Sequence, residues 1–215
     1  MAQKKDKKFY KRLGMTVLGV LFLGVSVGFL NYSDFGMDPF QTFAHGIALH
    51  VPLDFGTTYL IINVIELAVI FFIDKRKIGL GTMINLFLLG YVVDFSSVYV
   101  AKLFDMMGGG LILRIVSMVI GIILLCFCAA VYFTADMGVS THDAISLILS
   151  EKQDRIPFAW LRVANDILCI IIGFALGQSF GIGTIISGFF TGPLVSLFRK
   201  KIAEPFLNGA GGQGK

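Results

Sequence analysis

Acidic and small polar side chains stand just before two short helical segments of this 215-residue sequence. Asp38 and Ser140 are typical helix N-caps, and a helix presents positively polarised backbone amides at its start. An acid, Asp34 or Asp136, precedes each cap by four residues. Helix starts of this kind favour binding of a small polar or anionic solute. The predicted substrate-binding site consists of Asp34, Gly36, Asp38, Gln41, Asp136, Gly138, Ser140, Thr141 and Asp143.

Helix capping alone is the alternative explanation for this pattern. It accounts fully for Asp38 and Ser140, because both side chains can accept hydrogen bonds from the first helical turn. Gln41 or Asp143 at the third helical position would complete each capping box. Capping leaves the paired acids four residues upstream unexplained. Both explanations stay open at this point.

Polar residues inside the long apolar segments form a second group of candidates. An ionisable group in lipid costs a few kcal/mol and normally faces the protein interior. Six positions qualify: Asn63, Glu66, Asp94, Arg162, Asn165 and Asp166. The spacing of Arg162 and Asp166 favours an i,i+4 ion pair that neutralises itself. The asparagines are interpreted as interhelical hydrogen-bonding groups or as a polar pathway, and Glu66 as a functional acid.

Other kinds of chemistry find no support in the sequence. His45, His50 and His142 lack the spacing of metal ligands. The two Gly-x-Gly-Thr motifs, which begin at Gly79 and Gly181, have no preceding strand and no lysine in the position that a phosphate-binding loop requires. We therefore predict neither a metal site nor a cofactor, and we do not expect an enzyme.

The composition of the chain predicts that it lies in a lipid bilayer and not in water. It is 56% hydrophobic and only 15% charged, whereas about a quarter of the residues in a soluble domain are charged. A bilayer core needs about 20 apolar residues per helix. Six segments meet or approach that length: Leu13–Asn31, Thr57–Ile73, Gly81–Val100, Leu111–Phe133, Pro157–Gly177 and Gly181–Phe198. Two more, Pro39–Val51 and Thr141–Ser150, look helical but are too short to cross, and we expect re-entrant or interfacial helices there.

Basic clusters predict the orientation of the chain, since cytoplasmic loops are enriched in Lys and Arg. With six crossings and a cytoplasmic N-terminus, four clusters fall on the inner side: Lys4–Arg12, Lys75–Lys77, Lys152–Arg155 and Arg199–Lys201. Both chain ends are then cytoplasmic. These clusters separate apolar segments instead of forming a stripe, so no nucleic-acid partner is predicted. An eight-span arrangement, in which the two short helices also cross, stays open.

The two halves of the chain align without a gap at an offset of 102 residues. Asp34-Phe-Gly36 matches Asp136-Met-Gly138, and Asn63 matches Asn165. The sequence thus predicts a repeat at 12–104 and another at 111–200, between a basic N-terminus at 1–11 and a flexible C-terminal tail at 201–215. Three spans per repeat would place the halves in opposite orientations, as in many transporters. The predicted fold class is an all-α polytopic transmembrane bundle of six spans in two inverted three-span repeats.

A resemblance to a known family rests on the motif Ala135-Asp-Met-Gly-Val-Ser-Thr-His-Asp-Ala144 and the shorter Asp34-Phe-Gly-Met-Asp-Pro-Phe40. These residues resemble the YczE/YyaS/YitT group of bacterial integral membrane proteins, over about Arg12 to Phe198. The resemblance implies a multi-pass protein of the bacterial cytoplasmic membrane. It implies no substrate.

Two functions from different classes follow from these observations. The leading hypothesis is a transporter or permease of a small polar or anionic solute, with the two helix starts as its site. The alternative is a non-transporting membrane subunit, such as the substrate-binding component of a larger importer or a regulator of a membrane partner. The expected partners are the lipid bilayer and an unidentified solute, with a second copy of the chain or another membrane protein left open.

Overall fold

Residues 2–36, 38–53, 55–153 and 155–208 are described by the computed structural model, and every regular element among them is helical. Six helices are long and apolar enough to cross a membrane, which confirms the prediction of an all-helical fold with six candidate spans. They are α1 (Ala2–Ser33), α3 (Phe55–Asp74), α4 (Leu80–Met106), α5 (Leu111–Ala135), α7 (Phe158–Ala175) and α8 (Ile182–Phe198). The shorter helices are α2 (Pro39–Ala48), α6 (Thr141–Lys152) and α9 (Glu204–Asn208).

The outer faces of the long helices carry large apolar side chains. Phe72 on α3, Met106 on α4 and Ile112 on α5 are among the most exposed. Such a surface would cause aggregation in water but suits contact with lipid tails. α2 has 10 residues and α6 has 12, so at 1.5 Å per residue they are roughly 15 and 18 Å long, too short for a hydrocarbon core of about 30 Å.

α1 and α5 form the centre of the bundle. The Ser117 hydroxyl donates a hydrogen bond of 2.7 Å to the Phe29 carbonyl, and Tyr132 lies against Gly19 further along the pair. Residue numbers therefore rise along one helix as they fall along the other, so the two helices are antiparallel. α4 packs on α1, and α8 packs on α5.

The loops that follow α1 and α5 each dock on a helix start far away in the chain. The Phe35 carbonyl accepts a 2.8 Å hydrogen bond from the Gly183 N–H, and the Met137 carbonyl accepts one of 2.6 Å from the Gly81 N–H. A Cβ at Gly181 would lie 1.9 Å from the Phe35 oxygen, so a side chain there would exclude the loop. The first half of the chain is thereby fastened to α8 and the second half to α4.

Both loops begin with the same unusual backbone. Asp34 has φ 54° and Asp136 has φ 52°, while Gly36 has φ 115° and Gly138 has φ 105°. The left-handed region is sterically unfavourable for residues with a Cβ and is accessible to glycine, and aspartate tolerates it better than most. The Asp-x-Gly motif of the sequence thus supplies residues suited to a sharp chain reversal.

Most of the basic clusters meet at one end of the bundle. Lys77, after α3, pairs with Glu151 at 2.5 Å, and Arg12, near the start of α1, pairs with Asp136 at 3.6 Å. These four residues, together with Arg199 near the end of α8, line one surface pocket. An even number of membrane crossings requires both chain ends to lie at the same membrane face, and this arrangement agrees with that requirement.

The segment after α8 is more ordered than the sequence suggested. Residues 201–208, predicted as the beginning of the flexible tail, are helical: a π-helical turn covers Arg199–Ala203 and leads into α9. Lys11 donates a hydrogen bond to the Phe206 carbonyl, so α9 is held against α1. Within the predicted N-terminal segment 1–11, α1 already begins at Ala2. The rest of the predicted tail, 209–215, lies outside the described residues.

Candidate functional site

A cavity of about 630 Å³ lies inside the bundle, between the starts of the two short helices and the long helices around them. Its volume is within the usual range for small-molecule sites, about 300–1,000 Å³. Leucines, valines and aromatic rings form much of its wall. The ionisable or strongly polar side chains on the wall are Asp38, Gln41, Tyr59, Asn63, Asn85, Tyr91, Asp94, Tyr132, Ser140, Thr141, His142, Asp143, Arg162, Asp166, Ser187 and Thr191.

The two short helices point their N-termini at each other beside this cavity. Asp38 caps α2 and accepts hydrogen bonds from the backbone N–H groups of Phe40 and Gln41 at 3.0 and 3.1 Å. Ser140 caps α6 and accepts a bond from a backbone N–H three residues later. The rings of Phe40 and His142 stack between the two starts, with centroids 4.8 Å apart. Both caps are those expected from the sequence.

A cluster of charges connects α6 to α7. Arg162 donates from Nε to the Asp166 carboxylate at 3.0 Å and forms a second ion pair with Asp143. His142 Nε2 lies 2.9 Å from Asp166 Oδ1. Asp166 is only 1% exposed, so its charge depends on these two partners. The predicted i,i+4 pair is therefore one contact within a larger network.

The asparagines and Glu66 lie close to this cluster. Asn63 Oδ1 accepts a 2.8 Å hydrogen bond from the Thr141 hydroxyl, which joins α3 to α6. The Asn165 amide nitrogen lies 3.3 Å from His142 Nδ1. Glu66 is close to Thr141, and its Oε2 is buried without a hydrogen-bond partner among the described residues.

The predicted site residues divide into two groups by position. Nine lie on the cavity wall: Asp38, Gln41, Asn63, Asp94, Ser140, Thr141, Asp143, Arg162 and Asp166. Asp34 and Asp136 instead lie at opposite ends of the α1–α5 pair, with side chains 83% and 75% exposed. Asp34 pairs with Arg114 at 2.5 Å. Their glycine neighbours, Gly36 and Gly138, belong to the docking loops and contact Thr184 and Thr82 respectively.

Several cavity residues had no role in the site predicted from the sequence. His142 was considered there only as a metal ligand, yet it contacts Phe40, the residue 102 positions earlier. The repeat offset was the signal that could have found this contact. Tyr59 and Tyr132 are single tyrosines in apolar helices, and nothing in their local pattern distinguishes them from core residues.

Asp38, like Asp143, is an acid on the cavity wall that lies outside the six candidate spans. Burial raises the pKa of its carboxyl above the ordinary value, against the lowering effects of the hydrogen bond from the Gln41 N–H and of the His142 charge. Protonation of this group is therefore easier than for an aspartate in water. Within the described part of the chain, no group of three or more His, Cys, Asp or Glu side chains is arranged to hold a metal ion.

Comparison with known proteins yields relatives but no matching solved structure. A family model described as a family of unknown function (DUF6198) matches residues 10–200. An uncharacterized protein of Haemophilus influenzae is 25% identical over 195 residues, which cover 91% of this chain and 86% of the relative. The uncharacterized membrane protein YczE of Bacillus subtilis is 22% identical over 80% of this chain and 77% of its own length. YyaS of the same organism, also uncharacterized, is 22% identical over 89% of this chain and 94% of its own. The predicted resemblance to the YczE and YyaS group is confirmed.

Proposed function

Because the chain belongs to the DUF6198 family and surrounds a charged cavity with six candidate membrane spans, we propose that it is a carrier that moves a small polar solute across the membrane through that cavity. The family carries no assigned activity, and the proposal comes from this chain's own residues. It keeps the transporter predicted from the sequence but centres the site on the cavity instead of on Asp34 and Asp136.

One observation carries the proposal: a set of charges that is largely shielded from solvent faces an open volume. An ion pair that served only to join two helices would be enclosed by packed side chains, since buried charges are costly and normally fully partnered. Here Arg162, Asp143 and Asp166 all line the cavity. Charged groups kept at an internal cavity within apolar helices are typical of solute pathways.

An inverted repeat supplies a mechanism for the movement. The starts of α2 and α6, and those of α4 and α8, differ by 102 residues, and the two docking loops bind reciprocally to the opposite half. In this mechanism the two halves expose the cavity alternately to the two sides of the membrane, which is the alternating access of transporters built from inverted repeats.

The two halves differ in a way that suits such a mechanism. On α8, a Cβ at Gly192 would lie 2.4 Å from the Ala159 carbonyl of α7, whereas a Cβ at the equivalent Gly90 of α4 would meet nothing within 4 Å. Exposed Leu60 of α3 and Tyr91 of α4 both lie on the cavity wall. The cavity then opens between α3 and α4 and is closed between α7 and α8.

Orientation and location complete the proposal. The basic clusters at one end of the bundle favour a cytoplasmic position for that end and for both chain termini. The relatives come from bacteria, so the membrane is the bacterial cytoplasmic membrane. Lipid is the surrounding partner, and a stoichiometric second protein is not required by this mechanism.

The test is solute exchange in proteoliposomes loaded with a panel of small amines, carboxylates and neutral polyols. Asp38→Asn removes a cavity charge while keeping a good N-cap, because asparagine caps helices as well as aspartate. We expect this variant to lose exchange, and Asp34→Asn, at an exposed end pair, to retain it. Equal exchange by wild type and Asp38→Asn would contradict the cavity as the pathway. Absence of exchange together with a co-purifying, stoichiometric ATPase would favour the alternative of an importer subunit.

A further inference from the structure

The charged groups on the cavity wall are unequal in number. Asp38, Asp94, Asp143 and Asp166 contribute four carboxylates, and Arg162 contributes the one guanidinium. His142 is the remaining titratable base on the wall. Even with that imidazole protonated, the described lining carries a net negative charge. An anion would have to enter against this charge, whereas a cation is attracted by it.

The positive group is also already occupied. Arg162 is paired with both Asp143 and Asp166, so its donors point at protein carboxylates. Asp38 and Asp94, by contrast, form no ion pair within the described ranges. The carboxylates that remain for a ligand are therefore those of α2 and α4, in the first half of the chain.

Aromatic rings share the cavity wall with these acids. Phe40 and Tyr59 pack edge to face with centroids 5.5 Å apart, and Tyr59, Tyr91 and Tyr132 are on the cavity wall with Phe40. A cation placed over such faces is stabilised by the ring quadrupole. The Tyr132 side chain is 1% exposed, and its hydroxyl has no hydrogen-bond partner among the described residues. This hydroxyl is a polar group left for a ligand or water.

We propose that the cavity binds a monovalent organic cation, an amine or ammonium with an apolar body, whose charge lies near Asp38 and Asp94 and whose body lies against the aromatic wall. This inference rests on the proposed carrier function and narrows its substrate. It replaces the polar or anionic solute expected from the sequence, because the helix N-termini that favoured an anion are already capped by Asp38 and Ser140.

Three probes of one shape and different charge test this assignment on the full chain purified in detergent. Phenethylamine, phenethyl alcohol and 3-phenylpropionate carry charges of about +1, 0 and −1 at neutral pH. We expect phenethylamine alone to raise the melting temperature, because a ligand of the folded state stabilises it by mass action. Stabilisation by 3-phenylpropionate equal to or above that by the amine would overturn the assignment.

Variants identify the acids. Asp38→Asn is expected to weaken phenethylamine binding, measured by calorimetry, by about thirtyfold or more, and Asp34→Asn is the matched control that leaves it unchanged. If Asp38→Asn does not fold, Asp94→Asn gives the same test at an exposed position. Unchanged affinity in a folded Asp38→Asn and in Asp94→Asn would contradict the proposal. Amine binding without exchange would remove the carrier function alone, whereas exchange of carboxylates only would remove the cation assignment alone.

Discussion

The helix pair α7–α8 and its counterpart α3–α4 occupy equivalent places in the two halves, but only the first pair is closed. α8 approaches α7 through Gly188 and Gly192. The equivalent residues of α4 are Leu86 and Gly90, so one small residue is replaced by a large one and the other faces open space. Side chains therefore decide which half is closed, although both halves share the same order of helices.

A difference in charge accompanies the difference in packing. Arg162 connects α6 and α7 in the second half by its ion pair with Asp143, and it also pairs with Asp166 on α7 itself. The equivalent residue in the first half is Leu60, which is exposed. Among the described residues no ion pair joins α3 to a neighbouring helix, and a hydrogen bond between Asn63 and Thr141 links α3 to α6. This weaker attachment suits α3 to be the moving part of the proposed carrier. Two halves with the same order of helices can therefore differ in role. In the proposed carrier, α7 and α8 form the rigid wall of the cavity, and α3 and α4 form its gate.

The largest effect is expected from removing the charge that stabilises the rigid wall. Arg162→Gln should lower the free energy of unfolding by about 3–5 kcal/mol, because the buried Asp166 and the largely shielded Asp143 both lose their counter-charge. Chemical denaturation in mixed micelles measures it. Arg155→Gln, at an exposed loop arginine, is the matched control and should change stability by less than about 0.5 kcal/mol.

A double variant separates charge from packing in the same experiment. Arg162→Gln combined with Asp166→Asn leaves fewer unpaired charges and should recover part of the lost stability. Equal stability of the single variant and the control would mean that the ion pairs do not hold α7. The two halves would then differ in packing but not in electrostatic stabilisation.

The next effect concerns the two equivalent glycines. Gly192→Ala places a Cβ where the Ala159 carbonyl already lies, and overpacking of this kind costs about 1–3 kcal/mol. Gly90→Ala should stay within about 0.5 kcal/mol, since its added methyl group meets nothing within 4 Å. Thermal unfolding of both variants side by side measures the difference. Similar losses at both positions would show that α3 and α4 pack as closely as α7 and α8.

A smaller, pH-dependent effect follows from the unequal caps, since the first half has Asp38 where the second has Ser140. Burial raises the Asp38 pKa, and the titratable groups that interact with it are His45, Tyr59, His142, Arg162, Asp166 and Cys169. Protonation neutralises Asp38, so phenethylamine affinity should rise with pH through this raised pKa and level off above it. Well below that pKa the affinity should fall about tenfold per pH unit. Calorimetric titration across the pH range checks this.

The control for the pH experiment is Asp38→Asn, which has no carboxyl to titrate at that position. Its weaker binding should depend much less on pH. A pH dependence that persists undiminished in Asp38→Asn would show that another group, and not Asp38, controls it.

Much of the fold could be predicted because it is encoded locally. The six candidate spans follow from apolar length, and the starts of α2 and α6 follow from the caps Asp38 and Ser140. The position of Asp34 could not be predicted in this way. Its partner, Arg114, is 80 residues distant, and the pair forms only because α1 and α5 pack antiparallel. No local pattern specifies that packing.

The candidate site was predictable in part for the same reason. The repeat identified equivalent residues, among them the contacting pair Phe40 and His142, but it gave no information about contacts between residues that are not equivalent. His142 meets Asp166 through the packing of α6 on α7, and Arg162 gains Asp143 in addition to the neighbour one turn away. Nor could the repeat predict the gap between α3 and α4, because that gap comes from the residues in which the two halves differ.

The smallest effects are expected at the two end pairs, where the halves are alike. Asp34 with Arg114 and Asp136 with Arg12 are matched by the 102-residue offset, and both acids are largely exposed. Exposed ion pairs contribute about 0–1 kcal/mol, so Asp34→Asn and Asp136→Asn should each lower stability by no more than that. Both variants should also keep wild-type affinity for phenethylamine, measured by calorimetry under identical conditions. A loss of binding in either variant would show that the substituted acid belongs to the binding site after all. A loss in one variant alone would show that the two halves also differ at the ends of the bundle.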